Sequence, residues 1–325
     1  MSEKVQDKDA LILKVLSERK GEVVSGEELA IVLGISRVAL RKRIYKLKEE
    51  GIPIRVVDRR GYVLEALPDT LIPPAVLSEL DTEIIGRRYL FFEVVDSTNI
   101  LAKEMAARGE PEGTVVAADY QTKGRGRLGR SWFSPKGKNL YFSVILRPPV
   151  SASFVFQLTM LSSVAVCEAL RDLGVDALIK WPNDVFVGGR KICGILNEME
   201  TDGGKVRFVI LGIGLNVNVR REEFPPDIRE KATSVAVELG EEVSRRKIFV
   251  KVLAFLDKWY KHFLEGGKGD LFYFWREHNY TLGKRVAVDG RFEGFAIGIS
   301  PYGELLVRKD DGSVVKVSAG DVDIL

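Results

Sequence analysis

The sequence predicts an α+β protein built from three successive parts. Residues 1–66 show helical periodicity and then a hairpin, residues 83–280 alternate helices with strands, and residues 281–325 show short strands separated by turns. Three prolines between positions 68 and 74 mark residues 67–82 as a linker. The length of 325 residues agrees with two or three domains, because typical domains contain ~100–200 residues.

Composition narrows the class of protein. The net charge is only +3, so any surface for nucleic acid must be local. The first nine residues are polar and lack the apolar run of a signal peptide. The most apolar window, 150–170, contains Gln157 and Glu168, which favours a buried helix over a membrane span. The two cysteines lack metal-ligand spacing, so we expect a reduced, cytoplasmic protein without a structural metal or membrane contact.

The first part has the order helix, helix, helix, hairpin. Ser25 with Glu28 forms a capping box for the second helix, whose apolar face is predicted to contain Leu29, Val32 and Leu33. The third helix places Leu40, Ile44 and Leu47 on one face. A hairpin with its turn at 58–61 follows, and this order resembles a winged helix-turn-helix.

Basic residues follow the outward face of the third helix. Residues 36–48 contain six basic side chains and no acidic one, a pattern typical of a recognition helix in the major groove. The alternatives are a winged helix that contacts protein, or a solvated basic helix. The predicted DNA-binding residues on the helix and at the tip of the hairpin are Arg37, Arg41, Lys42, Arg43, Arg59 and Arg60.

The other two parts differ in their hydrophobic patterns. The short strands of residues 282–325, separated by Asp-Gly and Gly-containing turns, predict a small β-barrel. In the middle part, strands are expected at 90–95, 114–119, 139–146, 177–181, 191–200 and 206–217, and helices at 97–107, 154–173, 248–265 and 271–278.

Residues 124–130 read Gly-Arg-Gly-Arg-Leu-Gly-Arg and predict a loop that folds around an anion. Glycines allow close backbone approach, and arginines supply forked donors for phosphate and carboxylate. The stretch also matches the dinucleotide fingerprint Gly-x-Gly-x-x-Gly formally. That fingerprint must open a helix, whereas residues 131–137 have no helical period and contain Pro135 and Gly137. The pattern therefore favours an anion-binding loop over a Rossmann turn.

Further motifs occur along the chain before and after this loop, and their order is characteristic. They are Asp-Ser-Thr-Asn at 96–99, Gln121, Trp132, Lys-Trp-Pro-Asn-Asp at 180–184, Lys-Ile-Cys-Gly-Ile-Leu at 191–196 and Gly-Ile-Gly-Leu-Asn at 212–216. With the winged helix before them and the small barrel after them, the whole chain resembles the biotin–protein ligases. It is similar to the bifunctional bacterial form that also represses the biotin operon.

The resemblance implies a fold, a reaction and partners. The central domain should resemble class II aminoacyl-tRNA synthetases, and the barrel should be SH3-like. Biotin and ATP, with Mg²⁺, should give biotinyl-5′-adenylate and pyrophosphate. The adenylate should then biotinylate a lysine of a biotin carboxyl carrier protein. The resemblance also implies adenylate-dependent homodimers that bind operator DNA of biotin genes.

The same resemblance assigns roles to individual residues. Lys191, Arg125 and Arg127 should be catalytic, because cations must offset the repulsion between a carboxylate and an α-phosphate. Asp184 is a candidate Mg²⁺ ligand. The expected biotin contacts are Ser97, Thr98, Asn99, Gln121, Gly124, Arg125, Lys191, Gly194, Leu196 and Gly212, and the expected ATP or adenylate contacts are Arg127, Arg130, Trp132, Asn183 and Asn216.

Three other functions remain as alternatives at this stage. A biotin-sensing transcription factor would need no ligase activity, although Lys191 and the loop arginines argue against it. A lipoate-type ligase would handle another carboxylic acid, but the 124–130 loop and the 180–184 turn resemble biotin ligases. An RNA-binding protein that uses the Arg-Gly loop would leave Lys191 without a role.

Overall fold

The computed structural model describes residues 7–325, which form two compact units. One unit contains the chain up to Thr82 together with Ser244–Val250, and the other contains Glu83–Val243 together with Lys251–Leu325. The C-terminal strands therefore belong to the same compact unit as the central sheet. Each unit is described separately below.

The first unit contains the three predicted helices and the hairpin, followed by a fourth helix. Its elements are α1 (Lys8–Glu18), α2 (Gly26–Leu33), α3 (Arg37–Glu49), β1 (Ile54–Val57), β2 (Gly61–Leu64) and α4 (Pro73–Glu79). Ser25 accepts the Glu28 N–H at 3.0 Å and Ser36 accepts the Ala39 N–H at 3.2 Å, so hydroxyls start α2 and α3. Gly34 ends α2 in the left-handed conformation that the short turn requires.

The core of this unit corrects one expectation, and the predicted linker contains a further helix. Leu29 and Leu33 are buried as predicted, whereas Val32 is 48% exposed, because α2 directs Ala30 rather than Val32 into the core. The predicted linker 67–82 contains α4, which packs against α1. Pro73 and Pro74 occupy the first helical positions, where a missing N–H costs nothing.

The second unit is built on a seven-stranded mixed sheet in the order β3-β4-β5-β9-β8-β7-β6. β3 and β4 are parallel, and every other pair is antiparallel. The strands are β3 (Tyr89–Val95), β4 (Val115–Gln121), β5 (Leu140–Leu146), β6 (Leu178–Lys180), β7 (Asp184–Val187), β8 (Arg190–Asp202) and β9 (Lys205–Leu215).

Helices cover both faces of this sheet. Ala102 and Ala106 of α5 (Thr98–Ala107) pack with Phe208 and Ile210 of β9. Thr159 of α6 (Phe156–Arg171) instead accepts a hydrogen bond from Asn197, which pairs with Leu211 of β9. Neighbouring strand residues point to opposite faces, so α5 and α6 lie on opposite sides of the sheet. The remaining helices are α7 (Val235–Leu239), α8 (Arg245–Leu264) and α9 (Lys268–Glu277), and the start of α8, up to Val250, belongs to the first unit. Short 3₁₀ turns lie at Arg127–Gly129, Ala152–Phe154 and Arg221–Glu223.

The apolar window around residue 160 is a buried helix, as the sequence predicts. Within residues 7–325, the single helical stretch long and apolar enough to cross a membrane is Ala152–Arg171, and 78% of its most apolar window is buried inside the protein. Its apolar side chains pack against β6, β7, β8 and β9. The helix is therefore accounted for as part of the core.

The C-terminal segment is a five-stranded antiparallel sheet in the order β13-β12-β11-β10-β14. Asp289, with a φ of 50°, and Gly290 turn β10 into β11. A β-bulge between Ala296 and Gly298 bends β11. The strands are β10 (Arg285–Val288), β11 (Phe292–Ile299), β12 (Leu305–Arg308), β13 (Val314–Val317) and β14 (Val322–Ile324).

Candidate active site

A cavity of about 260 Å³ lies in the second unit, on the side of the central sheet that faces α5. Its walls come from the start of α5, the loop after β4, the β6–β7 turn, residues 224–232 and residues 320–322. The predicted ligand-binding residues that line it are Ser97, Thr98, Asn99, Gln121, Arg125, Arg127, Arg130, Trp132, Asn183, Asp184, Lys191, Gly194, Leu196, Gly212 and Asn216. Gly124 lies just behind this wall, because its Cβ would be 2.6 Å from Ser134 Oγ.

Glycines form the floor of the cavity. Gly194 of β8 pairs with Gly214 of β9, and a Cβ on either would lie within 3 Å of the Trp132 ring. A Cβ on Gly212 would lie 2.0 Å from Asn99 Oδ1. These positions require glycine because other side chains lie directly on the backbone there. The Trp132 ring therefore lies directly against the backbones of β8 and β9.

A hydrogen-bond network fixes the end of the cavity next to α5. Gln121 Oε1 accepts from the backbone N–H of Thr98 at 2.9 Å, and its Nε2 donates to Ser134 Oγ at 3.1 Å. Ser143 Oγ contacts Thr98 Oγ1 at 2.8 Å and Asn99 Oδ1 at 2.6 Å. Ser97 occupies the N-cap position, but its side chain makes no capping hydrogen bond. Gln121 satisfies the start of α5 instead, which keeps the Ser97 side chain out of the capping role.

The loop at 124–130 folds back on itself. Gly126 N donates to Arg130 O at 2.7 Å, and Trp132 N donates to Gly124 O at 2.9 Å. Gly129 has a φ of 75°, and Leu128, an exposed residue, is also left-handed with a φ of 55°. Gly126 is extended, so of the three glycines only Gly129 uses positive φ. The compact loop presents its three arginines in different directions.

Each arginine of the loop contacts a different polar side chain. Arg125 approaches Glu198 at 3.4 Å, and Arg127 donates to Asn183 Oδ1 at 3.0 Å. Arg130 forms an ion pair with Asp321, which precedes β14. The last contact joins the loop to the C-terminal sheet.

Lys191 and Asp184 face each other across β8 and β7. Lys191 Nζ lies 2.7 Å from Asp184 Oδ1 and 5.4 Å from the centre of the Trp132 ring. The backbone of Lys191 is also fixed, since its N–H donates to Lys231 O at 2.8 Å. A positioned ammonium group therefore stands at the cavity wall.

Asp184 is a single carboxylate rather than part of a cluster. Across residues 7–325, no group of three or more His, Cys, Asp or Glu side chains is arranged to hold a metal ion. Mg²⁺ often binds through one or two carboxylates together with substrate phosphates, so Asp184 alone is compatible with such a site. Its carboxylate is meanwhile paired with Lys191.

Asn216 and Trp181 are both engaged in structural contacts. The Asn216 side chain accepts from Asn139 at 3.1 Å and donates to Thr233 O at 3.0 Å. Trp181 is fully buried, and its Nε1 donates to Gly303 O at 2.9 Å. Asn183 also donates to Ile195 O at 2.6 Å, which orients its amide towards Arg127.

The two cysteines are not reactive groups of this site. Both are buried, and burial raises the pKa of Cys193 well above its ordinary range and that of Cys167 to about 12. The thiolate is the nucleophile, so neither side chain is suited to covalent catalysis near neutral pH.

Sequence patterns miss several residues of the site. Phe224 and Ile228 line the cavity but lie in a segment without regular structure, and Asp321 lies 191 positions from Arg130. Glu198 binds both Asn99 Nδ2, at 2.9 Å, and Arg125. Glu200 and Asp202 lie on the same strand, so an acidic side chain at position 198 does not by itself mark a site residue in the sequence.

The predicted DNA-binding residues lie in the first unit and divide into two groups. Arg37, Arg41, Lys42, Arg59 and Arg60 are exposed. Arg43 instead donates to the buried carboxylate of Asp9 at 2.7 Å, because its position on α3 faces α1. Lys46 lies 3.4 Å from the same carboxylate.

Comparison with known families agrees with the division of the chain into three successive parts. The HTH domain pattern matches residues 9–63, the biotin/lipoate A/B protein ligase family matches residues 91–216, and the biotin protein ligase C terminal domain matches residues 281–325. Together these patterns span most of the described chain.

Relatives of known function match along nearly the full length. The chain is 35% identical to the bifunctional ligase/repressor BirA of Bacillus subtilis over 317 residues, which cover 96% of this chain and 97% of the relative. It is 30% identical to BirA of Escherichia coli, with 94% of each chain covered. Among solved structures, the biotin protein ligase from Aquifex aeolicus in complex with biotin and ATP superimposes with a TM-score of 0.63 and 32% identity, over 73% of this chain and 98% of that one.

Proposed function

This chain belongs to the biotin protein ligase family, in its bifunctional ligase/repressor form, and on that premise we propose that it activates biotin with ATP and transfers it to a protein lysine. The observation that carries the proposal is the cavity itself. Lys191 and three arginines converge there above a floor of glycines. This positive charge suits the carboxylate and phosphate groups that an acyl-adenylate joins.

In the first step the biotin carboxylate attacks the α-phosphorus of ATP, an anhydride bond forms, and pyrophosphate leaves. Both reactants are anions, so positioned cations must offset their repulsion. Lys191 is placed to contact carboxylate and α-phosphate together, while Arg125 and Arg127 cover the phosphates from the loop. Arg130 can join them when it exchanges Asp321 for the nucleotide.

Mg²⁺ is proposed as the metal of this step, with Asp184 as its protein ligand. The metal ion would neutralise charge on the phosphates when bound. Asp184 also forms an ion pair with Lys191. Its carboxylate therefore holds a cation near the reacting centre, whether that cation is Lys191 or Mg²⁺.

We assign the ends of the cavity to the two parts of the adenylate. Ser97, Thr98, Asn99, Gln121 and the backbone of 124–125 offer donors and acceptors for the ureido ring, and Gly194, Leu196 and Gly212 form its walls. Trp132, Asn183 and Asn216 lie on the nucleotide side. Asn216 acts mainly by holding residue 233 in place, because both ends of its amide are already bonded.

In the second step an acceptor lysine amine attacks the mixed anhydride, an amide bond forms, and AMP leaves. The acceptor is proposed to be a biotin carboxyl carrier protein. The anhydride is already activated, so no nucleophile of the enzyme is required. A closed loop would protect it from water.

The first unit is proposed to bind operator DNA of biotin genes when the adenylate is present, as a homodimer in the cytoplasm. We propose residues 1–66 as the DNA-binding domain, 67–82 as the linker, 83–280 as the catalytic domain and 281–325 as the C-terminal barrel. The exposed basic residues of α3 and of the β1–β2 turn support this assignment.

The deciding experiment is direct detection of the intermediate. Incubation of the chain with biotin, ATP and Mg²⁺ should produce biotinyl-5′-adenylate, identified by mass spectrometry, and then label a carrier-protein lysine. Lipoate in place of biotin is the control for the lipoate-type alternative. Biotin binding without adenylate would instead identify a sensor that lacks ligase activity.

A further inference from the structure

The outward face of α3 has an apolar centre. Val38 is 69% exposed and Tyr45 is 65% exposed, and they lie seven residues apart, so two helical turns bring them onto one line. Leu40, Ile44 and Leu47 are buried on the opposite side. Two of the exposed side chains on the outward face of the helix are therefore uncharged and largely apolar.

Basic residues flank this line on both sides. At 100° per residue, Arg41 and Arg37 lie on one side of Val38 and Tyr45, and Lys42 lies on the other. Arg43 and Lys46 are held by Asp9 and are turned towards α1. Glu49 lies on the same outward face, at its C-terminal end. The cations are thus placed for the two phosphate walls of a groove, and Val38 with Tyr45 for its floor.

We infer that Val38 and Tyr45 read thymine methyl groups in the major groove. This inference rests on the proposed DNA binding and adds which bases are read. The 5-methyl group of thymine is the apolar feature of the major-groove floor, and apolar and aromatic side chains contact it. Val38 lies in the first turn of α3, and N-terminal residues of a recognition helix contact base edges. A rise of 1.5 Å per residue separates the two side chains by about 10 Å, or about three base-pair steps.

The test removes single methyl groups from DNA without any other change. The full chain, with biotin, ATP and Mg²⁺, first selects duplexes from a random pool. Each thymine of the selected half-site is then replaced by deoxyuridine on both strands of the palindrome. Burial of one methyl-sized group changes an equilibrium by about fourfold. Loss in both half-sites should therefore weaken binding by about 15-fold at the position that Val38 contacts.

Variants identify which side chain reads which position. In Val38→Ala, deoxyuridine at one position should weaken binding by less than about twofold. Deoxyuridine at the other positions should weaken binding as much as it does for the unsubstituted chain. Tyr45→Ala should have the same effect at a second position, about three steps away. Val32→Ala is the matched control, because Val32 is an exposed valine on α2, and it should leave every penalty unchanged.

The outcomes separate this inference from the function on which it rests. Tight binding that no deoxyuridine substitution weakens would overturn the inference and leave DNA binding intact. Unchanged penalties in both Val38→Ala and Tyr45→Ala would overturn it as well. If no duplex is selected, with or without biotin and ATP, both the inference and the proposed repressor function fail.

Discussion

Lys191 lies at the start of β8, and its ammonium group is held at the cavity wall by Asp184. We predict that Lys191→Ala folds but forms biotinyl-adenylate about 100- to 1000-fold more slowly, because one positioned stabiliser of the transition state is lost. Single-turnover adenylate formation measures this. Lys103→Ala, on the exposed face of α5, is the control. Near-normal adenylation by Lys191→Ala would remove the residue from its proposed role.

Gly214 is a second residue on which the site depends. A Cβ there would lie 2.5 Å from Trp132 Nε1, so Gly214→Ala should push the indole off the floor. A displacement of about 1 Å in an active site costs on the order of 100-fold in rate. Gly298→Ala is the matched strand control, since its Cβ would meet only Leu306, at 3.8 Å.

A double-variant cycle checks the cause of that loss. In a Trp132→Phe background, where the smaller ring leaves room, Gly214→Ala should cost much less than it does alone. Additive effects of the two substitutions would show that Gly214 acts by some route other than Trp132.

At the level of secondary-structure elements, α1 and α3 are connected through one buried carboxylate side chain. Asp9 accepts from Arg43 and lies close to Lys46. Asp9→Asn should weaken this unit by about 1.5–3 kcal/mol, the usual worth of hydrogen bonds to charged groups. Hydrogen exchange of α1 and α3 amides should become at least tenfold faster, while Asp58→Asn in the exposed β1–β2 turn should have no such effect. Equal exchange in both variants would contradict this link.

The two cysteines give a chemical test of how α6 and β8 are packed. Both thiols are buried and have raised pKa values, so the thiolate is scarce at pH 8. Iodoacetamide at pH 8 should leave both unlabelled in the folded chain and label both in guanidinium chloride. Mass spectrometry counts the labels. Rapid labelling of Cys193 in the native chain would show that the floor of the cavity opens.

Elements with a clear apolar spacing could be predicted, and some of the short ones could not. The first three helices and the long strands β8 and β9 follow directly from apolar spacing. β7 has only four residues and is set by pairing with β6 and β8. The prolines between positions 68 and 74 predict a linker, yet Pro73 and Pro74 form the first turn of α4. The outward position of Val32 depends on how α2 is rotated, which a single helical pattern does not determine.

For the site, motif residues could be predicted and their partners could not. Fifteen predicted residues line one cavity, and they come from the start of α5, from β4, β7, β8 and β9, and from the loops next to these strands. Glu198, Phe224 and Asp321 enter through tertiary contacts with residues far along the chain. Arg43 is turned to Asp9 for the same reason. Contacts of this kind leave no local pattern to detect.

At the level of the whole molecule, the proposed repressor role predicts a switch. A mobility-shift assay with a biotin-operator duplex should show binding with biotin and ATP and much weaker binding without them. The logarithm of the binding constant should fall by about 0.9 per neutralised phosphate for each tenfold rise in salt. Sedimentation with the same ligands should show dimers. Equal binding in both conditions would exclude the switch.

The internal contacts of four cations also affect which anions the cavity can bind. These cations are Arg125, Arg127, Arg130 and Lys191. Three of these cations already face a carboxylate of the chain, and Arg127 faces an amide oxygen. A phosphate that binds must therefore replace a carboxylate of the chain as the partner of such a cation. A small anion then gains little more interaction energy than is lost with that carboxylate. We therefore expect inorganic phosphate to compete poorly for this site. A ligand that also contacts the uncharged walls of the cavity gains binding energy that a small anion does not.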